Sequence, residues 1–240
     1  MEKKIKIKTP DNFVIYGTYS SSKHKTGKIV IFVHGFTGHQ NEHIFFNGAK
    51  YFNNKGFDSF RFDLYSYEKK SRPFKDTKIS LHGKDIRVVI DYFKNKYKKI
   101  YLVGHSYVGT SLLFVGDNNV SGMTFWDASY IEPVLEDYFV YSKSLNSYIL
   151  KDRIDYIVGK KFVEELKKFP DCGELISKIH VPVKFITAGE KGNGKSGKKY
   201  FSKANKPKES SSVAGASHCF DELGTEEKLF EETLKWFKKY

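Results

Sequence analysis

Cysteine is scarce in this chain: only Cys172 and Cys219 occur in 240 residues, too few for a disulfide framework. Long apolar runs are missing as well. No stretch approaches the roughly 20 consecutive apolar residues a membrane-spanning helix needs. The opening Met1-Glu2-Lys3-Lys4-Ile5-Lys6-Ile7-Lys8 lacks the apolar core of a signal peptide. These absences predict a cytoplasmic protein with no membrane partner. Negative charge is in the minority, with 28 Asp and Glu against 41 Lys and Arg and a net charge of +13. The lysines are spread through every segment, with one concentration at Lys191–Lys208. A nucleic-acid footprint gathers basic residues on one face, so no nucleic-acid partner is expected. No internal repeat is visible. What is plentiful is Phe and Tyr, within a hydrophobic fraction of 40%. The length suits one α/β domain over residues 1–240, carrying an insertion.

Lys4–Thr9 alternates charged and apolar residues and Phe13–Tyr19 is rich in β-formers, which predicts an antiparallel hairpin at a sheet edge. Lys28–Val33 is a near-continuous apolar run, the mark of a strand buried on both faces. A helix over Ile44–Lys55 and a strand over Phe57–Leu64 follow. Asp76-Thr77 is placed to cap a helix whose Ile86, Val89, Ile90 and Phe93 fall at helical spacing. Strands are expected again up to Gly104, at Val120–Trp126, Val183–Thr187 and Ser210–Val213, with a short helix over Lys198–Ala204. A last helix is capped by Thr225. Residues from about 129 to 179 break the alternation and read as a helical cap rich in Tyr and Phe. The sum is a mostly parallel sheet flanked by helices, with a small helical cap insertion.

The most informative stretch is Lys99–Thr110, Lys-Ile-Tyr-Leu-Val-Gly-His-Ser-Tyr-Val-Gly-Thr. An apolar run ends at Gly104, and one serine follows two places later ahead of a helix-compatible stretch. A strand feeding a sharp turn and then a helix exposes the Ser106 hydroxyl and aims the Tyr107 N–H into the same space. The usual pattern is Gly-x-Ser-x-Gly; here Val108 takes the last position and Gly109 comes one place late. His218, in Gly215-Ala216-Ser217-His218-Cys219-Phe220, follows the last strand on a loop within reach of Ser106. His34-Gly35-Phe36 ends the strand at Lys28–Val33, where the Phe36 N–H can join that of Tyr107 as an oxyanion hole.

Together these residues resemble the α/β-hydrolase family, and within it the small serine esterases of the cinnamoyl/feruloyl type. The likeness spans nearly the whole chain. It runs from His34-Gly35-Phe36-Thr37-Gly38 with Asn41-Glu42, through Arg61-Phe62-Asp63 and Tyr101-Leu102-Val103-Gly104-His105-Ser106, to Gly215–Phe220. The resemblance implies Ser106 as nucleophile, His218 as general base, and Phe36 and Tyr107 as oxyanion donors. The implied activity is carboxylesterase action on small to medium acyl or aryl esters through an acyl-enzyme, without cofactor or metal. After Asp63, Leu64-Tyr65-Ser66-Tyr67 replaces a glycine-rich turn. The acid also departs from the family pattern, which has Gly-x-x-Asp where this chain reads Gly189-Glu190-Lys191-Gly192. Asp127, closing the strand at Val120–Trp126, and Glu190 are the two candidate acids, and neither is a third outcome. A chain lacking its acid would be a catalytically weak or dead binding module.

Two other motifs compete. Gly189-Glu-Lys-Gly-Asn-Gly-Lys195-Ser196 fits the phosphate-cradling pattern G-x-x-x-x-G-K-[ST] and follows a strand. It opens a nucleotide-binding reading, although too little chain follows it to complete a nucleotide-hydrolysing domain. His39-Gln-Asn-Glu42-His43 matches H-x-x-E-H, a zinc signature that needs both histidines on one helical face and a further ligand. It lies between a glycine turn and the start of a helix, where a solvated polar loop is expected instead.

Overall fold

The computed structural model describes residues 1–24, 26–132, 138–151, 154–189 and 191–240. A hairpin of β1 (Glu2–Lys8) and β2 (Val14–Ser20) opens the chain. It is followed by β3 (Lys28–Val33), α1 (His43–Asn54), β4 (Asp58–Phe62), α2 (Ile79–Phe93), β5 (Lys99–His105), α3 (Val108–Leu112) and β6 (Gly122–Trp126). The insertion then contributes β7 (Phe139–Ser142), β8 (Ser147–Leu150), β9 (Tyr156–Val158), α4 (Lys160–Lys167) and α5 (Cys172–Ile176). The chain closes with β10 (Val183–Ala188), α6 (Gly194–Lys203), β11 (Lys208–Val213) and α7 (Thr225–Lys239). The main sheet has eight strands in the order β1-β2-β4-β3-β5-β6-β10-β11. From β4 to β11 every neighbouring pair is parallel.

Each central strand divides its residues between two cores, which is why its sequence is apolar throughout instead of alternating. Ile29, Ile31, Val33, Ile100 and Leu102 face α2, α3 and the insertion. Val30, Phe32, Tyr101 and Val103 face α1 and α7. A buried cation in this interior is satisfied: Lys184 of β10 is fully buried, its Nζ held by Glu209 at 2.7 Å and Glu232 at 2.8 Å. After β3 the chain crosses to β4 on one side, then returns to place β5 on the other. A crevice therefore opens beyond the C-terminal ends of β3 and β5, where α/β sheets carry their sites. Among the described residues no helix is long and apolar enough to cross a membrane.

The cap departs from expectation. In place of an all-helical insertion, β7, β8 and β9 form an antiparallel three-stranded sheet, and only the short helices α4 and α5 follow it. The aromatic residues read as helical patches recur with period two: Phe139 and Tyr141 on β7 face Leu150 and Tyr148 on β8. Asn146, at a φ of +47°, closes the turn between these strands, a left-handed position that asparagine tolerates. Two caps also move. A 3₁₀ turn over Phe74–Asp76 precedes α2, whose boundary residue is Lys78, so Asp76-Thr77 does not cap it. Gly224, at a φ of +80°, stands where Thr225 was expected to cap α7. Helix α6 begins at Gly194, four residues before Lys198.

Three histidines lie buried around the crevice. Burial pushes His34 and His105 down to about 4 and His82 down to about 3. An unfolded chain takes up these protons near the ordinary histidine value of 6.5, whereas the folded chain refuses them until far lower pH. Stability is therefore complete above pH ~6.5 and falls as pH drops toward 4, by up to about 1.4 kcal/mol per pH unit for each group. The melting temperature of His82→Leu should decline less steeply over pH 7 to 4 than that of the wild type. Parallel curves would mean that His82 titrates alike in both states.

Candidate functional site

Ser106 follows β5 with a φ of +59°, the left-handed region that costs a non-glycine residue on the order of 1–3 kcal/mol. Backbone bonds hold it there: its N–H donates to the Trp126 carbonyl at 2.9 Å, and its carbonyl accepts from Gly109 and Ser129, each at 3.1 Å. Small residues flank it for steric reasons. A Cβ on Gly104 would lie 2.8 Å from Leu112, and one on Gly109 would lie 2.5 Å from the Ala128 Cβ. The close approach thus falls at Gly109, and Val108 turns into the core instead.

The structure brings Ser106, His218 and Asp127 into one hydrogen-bonded line. His218 Nε2 lies 2.8 Å from Ser106 Oγ, and His218 Nδ1 lies 2.5 Å from Asp127 Oδ2. A carboxylate only accepts, so in the neutral ring Nδ1 carries the proton and Nε2 is free to accept from the serine hydroxyl. Asp127 is fully buried, with Oδ1 accepting from the Ala188 N–H at 2.9 Å and the Asn193 N–H at 2.8 Å. Glu190, the other candidate acid, lies outside the described residues.

The Phe36 and Tyr107 amides complete the arrangement. The Gly35 carbonyl accepts from His34 Nδ1 at 2.8 Å, from Gly38 N–H at 3.2 Å and from the Tyr65 hydroxyl at 3.3 Å. In a trans peptide the Phe36 N–H must point the opposite way. Gly35 also packs on the serine, since a Cβ there would come within 3.2 Å of Ser106 Cβ. Among the described residues neither the Phe36 nor the Tyr107 N–H has a hydrogen-bond acceptor. Two unpaired donors beside an activated hydroxyl can stabilise a developing oxyanion.

Aromatic side chains wall the crevice. The Phe36 ring lies 4.9 Å from Tyr107, 5.1 Å from Phe74 and 5.4 Å from Phe162, centre to centre. Phe162 comes from the insertion, as does Tyr156, which with Asp63, Tyr65, Tyr67 and Phe74 lines a cavity of about 310 Å³ beside Thr37–His39. A larger cavity of about 1070 Å³ opens elsewhere, between the start of α6 and β11.

Three contributors had no role in the sequence reading. His34 fixes the Gly35–Phe36 peptide, with Nε2 accepting from the Leu64 N–H at 3.0 Å. His105 donates from Nε2 to the His218 carbonyl at 2.8 Å, tying the histidine loop to β5. Asn193 grips Asp127. The first two adjoin the glycine turns in sequence, a usable signal, whereas Asn193 was hidden inside the phosphate-loop pattern. That pattern does sit between a strand and a helix, but the Asn193 N–H is already committed to the Asp127 carboxylate. The zinc signature is not assembled: His43 pairs with Asp221 and Glu226, and His39 Nδ1 accepts from the Asn41 N–H.

No protein-family model matches this chain, and no curated protein matches its sequence. Solved structures do. Est1E from Butyrivibrio proteoclasticus, with ferulic acid bound, is similar at a TM-score of 0.80 and 19% identity over 98% of this chain and 99% of that one. The esterase domain of a Rhodothermus marinus protein gives 0.77 at 15% identity, covering 100% and 99% of the two chains. Dienelactone hydrolase from Anabaena variabilis gives 0.74 at 14%, covering 100% and 98%. At such identities the likeness is one of fold. The chain has the α/β-hydrolase fold.

Two measurements check this geometry. A Cβ on Gly192 would lie 2.5 Å from Ala188 Cβ and 2.6 Å from Asp127 Oδ1. Gly192→Ala should therefore lose about 1–3 kcal/mol in chemical denaturation, the cost of overpacking a filled site; an unchanged midpoint would show that the loop yields freely. Magnesium-ATP should give no saturable thermal shift. A shift abolished by Lys195→Ala would restore the nucleotide-binding reading.

Proposed function

We propose that the protein is a serine carboxylesterase acting on small to medium acyl or aryl esters. The observation that carries this reading is the unbroken line Ser106–His218–Asp127, with the serine held in a left-handed turn. Ser106 Oγ attacks the ester carbonyl carbon while His218 Nε2 takes its proton. The carbonyl oxygen becomes an oxyanion between the Phe36 and Tyr107 amides. The C–O bond to the alcohol then breaks, His218 returns the proton to the departing alkoxide, and the acyl group stays on Ser106. Water repeats the cycle: His218 removes its proton, the acid is released, and Ser106 regains its hydrogen. Asp127 holds the imidazole by its Nδ1–H and stabilises the imidazolium as it forms.

The aromatic enclosure around Phe36 supports an apolar acyl or aryl group on one side of the ester. The esterases among the structural neighbours support the same reaction class. A fluorophosphonate should add one label to the wild type and none to Ser106→Ala, and p-nitrophenyl esters should be turned over. Asp127→Asn should lower kcat by up to about 10⁴-fold while the protein stays folded, because the ring then carries its proton on the wrong nitrogen. A wild type that neither labels nor hydrolyses would be a binding module on a hydrolase fold.

A further inference from the structure

Asn193 is bonded to Asp127 at both ends. Its backbone N–H donates to Oδ1 at 2.8 Å and to Oδ2 at 3.0 Å, while its side-chain Nδ2 donates to the Asp127 main-chain carbonyl at 2.9 Å. Among the described residues no other group donates to that carbonyl. Asp127 needs such a tie because its φ is +42°, a conformation that an L side chain holds only when its surroundings impose it. The same Nδ2 lies 3.4 Å from His218 Nδ1. Both of these nitrogens are donors when His218 Nδ1–H points at Asp127, so this is a packing contact that leaves the ring proton one acceptor only.

We infer that Asn193 is a positioning residue: it fixes the backbone of the acid, fixes its carboxylate, and closes off any second acceptor for the imidazole proton. The phosphate-loop pattern thereby acquires a purpose at Asn193, whose amide donates to an anion that the chain itself supplies. Gly192 supports the assignment, because only a residue without a side chain lets the loop lie against Oδ1. An amide is the group the position calls for. A carboxylate at 193 would face the Asp127 carbonyl and place a second negative charge beside the ring, and alanine would leave a buried carbonyl unpaired.

The catalytic part of this inference rests on the esterase reading; the structural part does not, and the test separates them. Asp127 contacts the His218 ring, and His105 lies at 4.8 Å between ring centres. Lys191 and Glu222 flank the same loop through Ser217, and Asp221 adjoins it, paired with His43. The His218 ring is followed by NMR over a pH series in wild type, Asn193→Ala and Asn193→Asp, with kcat and KM on a p-nitrophenyl ester measured in parallel. Asn193→Ala should make the Nδ1 proton exchange faster and lower kcat about 10–100-fold, the usual cost of losing an outer orienting group. Its KM should stay within about threefold and its melting curve should stay cooperative. Asn193→Asp should raise the midpoint of ring protonation by about one pH unit or more and carry the acid limb of kcat/KM with it, since a nearby negative charge favours the imidazolium. Unchanged ring exchange in Asn193→Ala together with an unmoved midpoint in Asn193→Asp overturns the assignment. Ring effects in the two variants, with a wild type that hydrolyses no ester, uphold the positioning role and reject the esterase.

Discussion

The arrangement depends on keeping one negative charge out of water. Removing a carboxylate from solvent costs several kcal/mol unless hydrogen bonds replace its hydration. Asp127 is fully buried, and the chain meets that cost from three directions: the Ala188 N–H at the end of β10, the Asn193 N–H ahead of α6, and the imidazole of His218. Two of these donors stand at the end of β10 and on its connection to α6, and the third on the loop between β11 and α7. The register of β6 on β10, with Trp126 opposite Ile186, brings them together, and the Asp127 N–H continues that ladder to the Ile186 carbonyl at 2.7 Å. A slip in this register would strand the charge, so correct strand pairing and a satisfied acid are one condition.

Strain is concentrated on the same two strand ends. Ser106 and Asp127 both adopt positive φ, and they are joined through Trp126, whose carbonyl accepts from the Ser106 N–H. Below them lies a packed aromatic layer: the Trp126 ring is 5.8 Å from Phe32 and 6.4 Å from Phe45, and its Nε1–H donates to Thr233 at 2.8 Å. Rigid strands on a close-packed base can hold side chains in conformations that a free loop would relax.

This physics also decides what could be read from the sequence. Strands buried on both faces announce themselves, and Lys28–Val33 begins and ends in the structure where its apolar run does. Ser106 and His218 were legible because glycine turns mark the places where strands end. The acid was not settled, because a lone aspartate after a strand looks the same whether it caps a helix or serves a histidine; only the folded partners distinguish them. The cap differs from its helical expectation because its strands are only three or four residues long, too short for their period of two to stand out, and its turn is signalled by one residue, Asn146. The phosphate-loop pattern misled for a deeper reason. Glycines that let backbone amides converge on an anion do so whether the anion is a phosphate or a carboxylate.

Charge around His218 is controlled by which groups stay neutral. The chain is strongly basic, yet the histidine in ring contact with His218 adds no positive charge. His105 is held uncharged by burial, and its one ring proton is fixed on the His218 carbonyl. His34 is likewise neutral, with one nitrogen donating to the Gly35 carbonyl and the other accepting from the Leu64 N–H. A charged imidazole 4.8 Å away, centre to centre, would oppose an imidazolium forming at His218. With His105 neutral, the formal charge touching the imidazole is that of Asp127, the sign that the proposed proton transfer from Ser106 calls for. Burial of His105 and burial of the Asp127 carboxylate therefore act in the same electrostatic direction on His218.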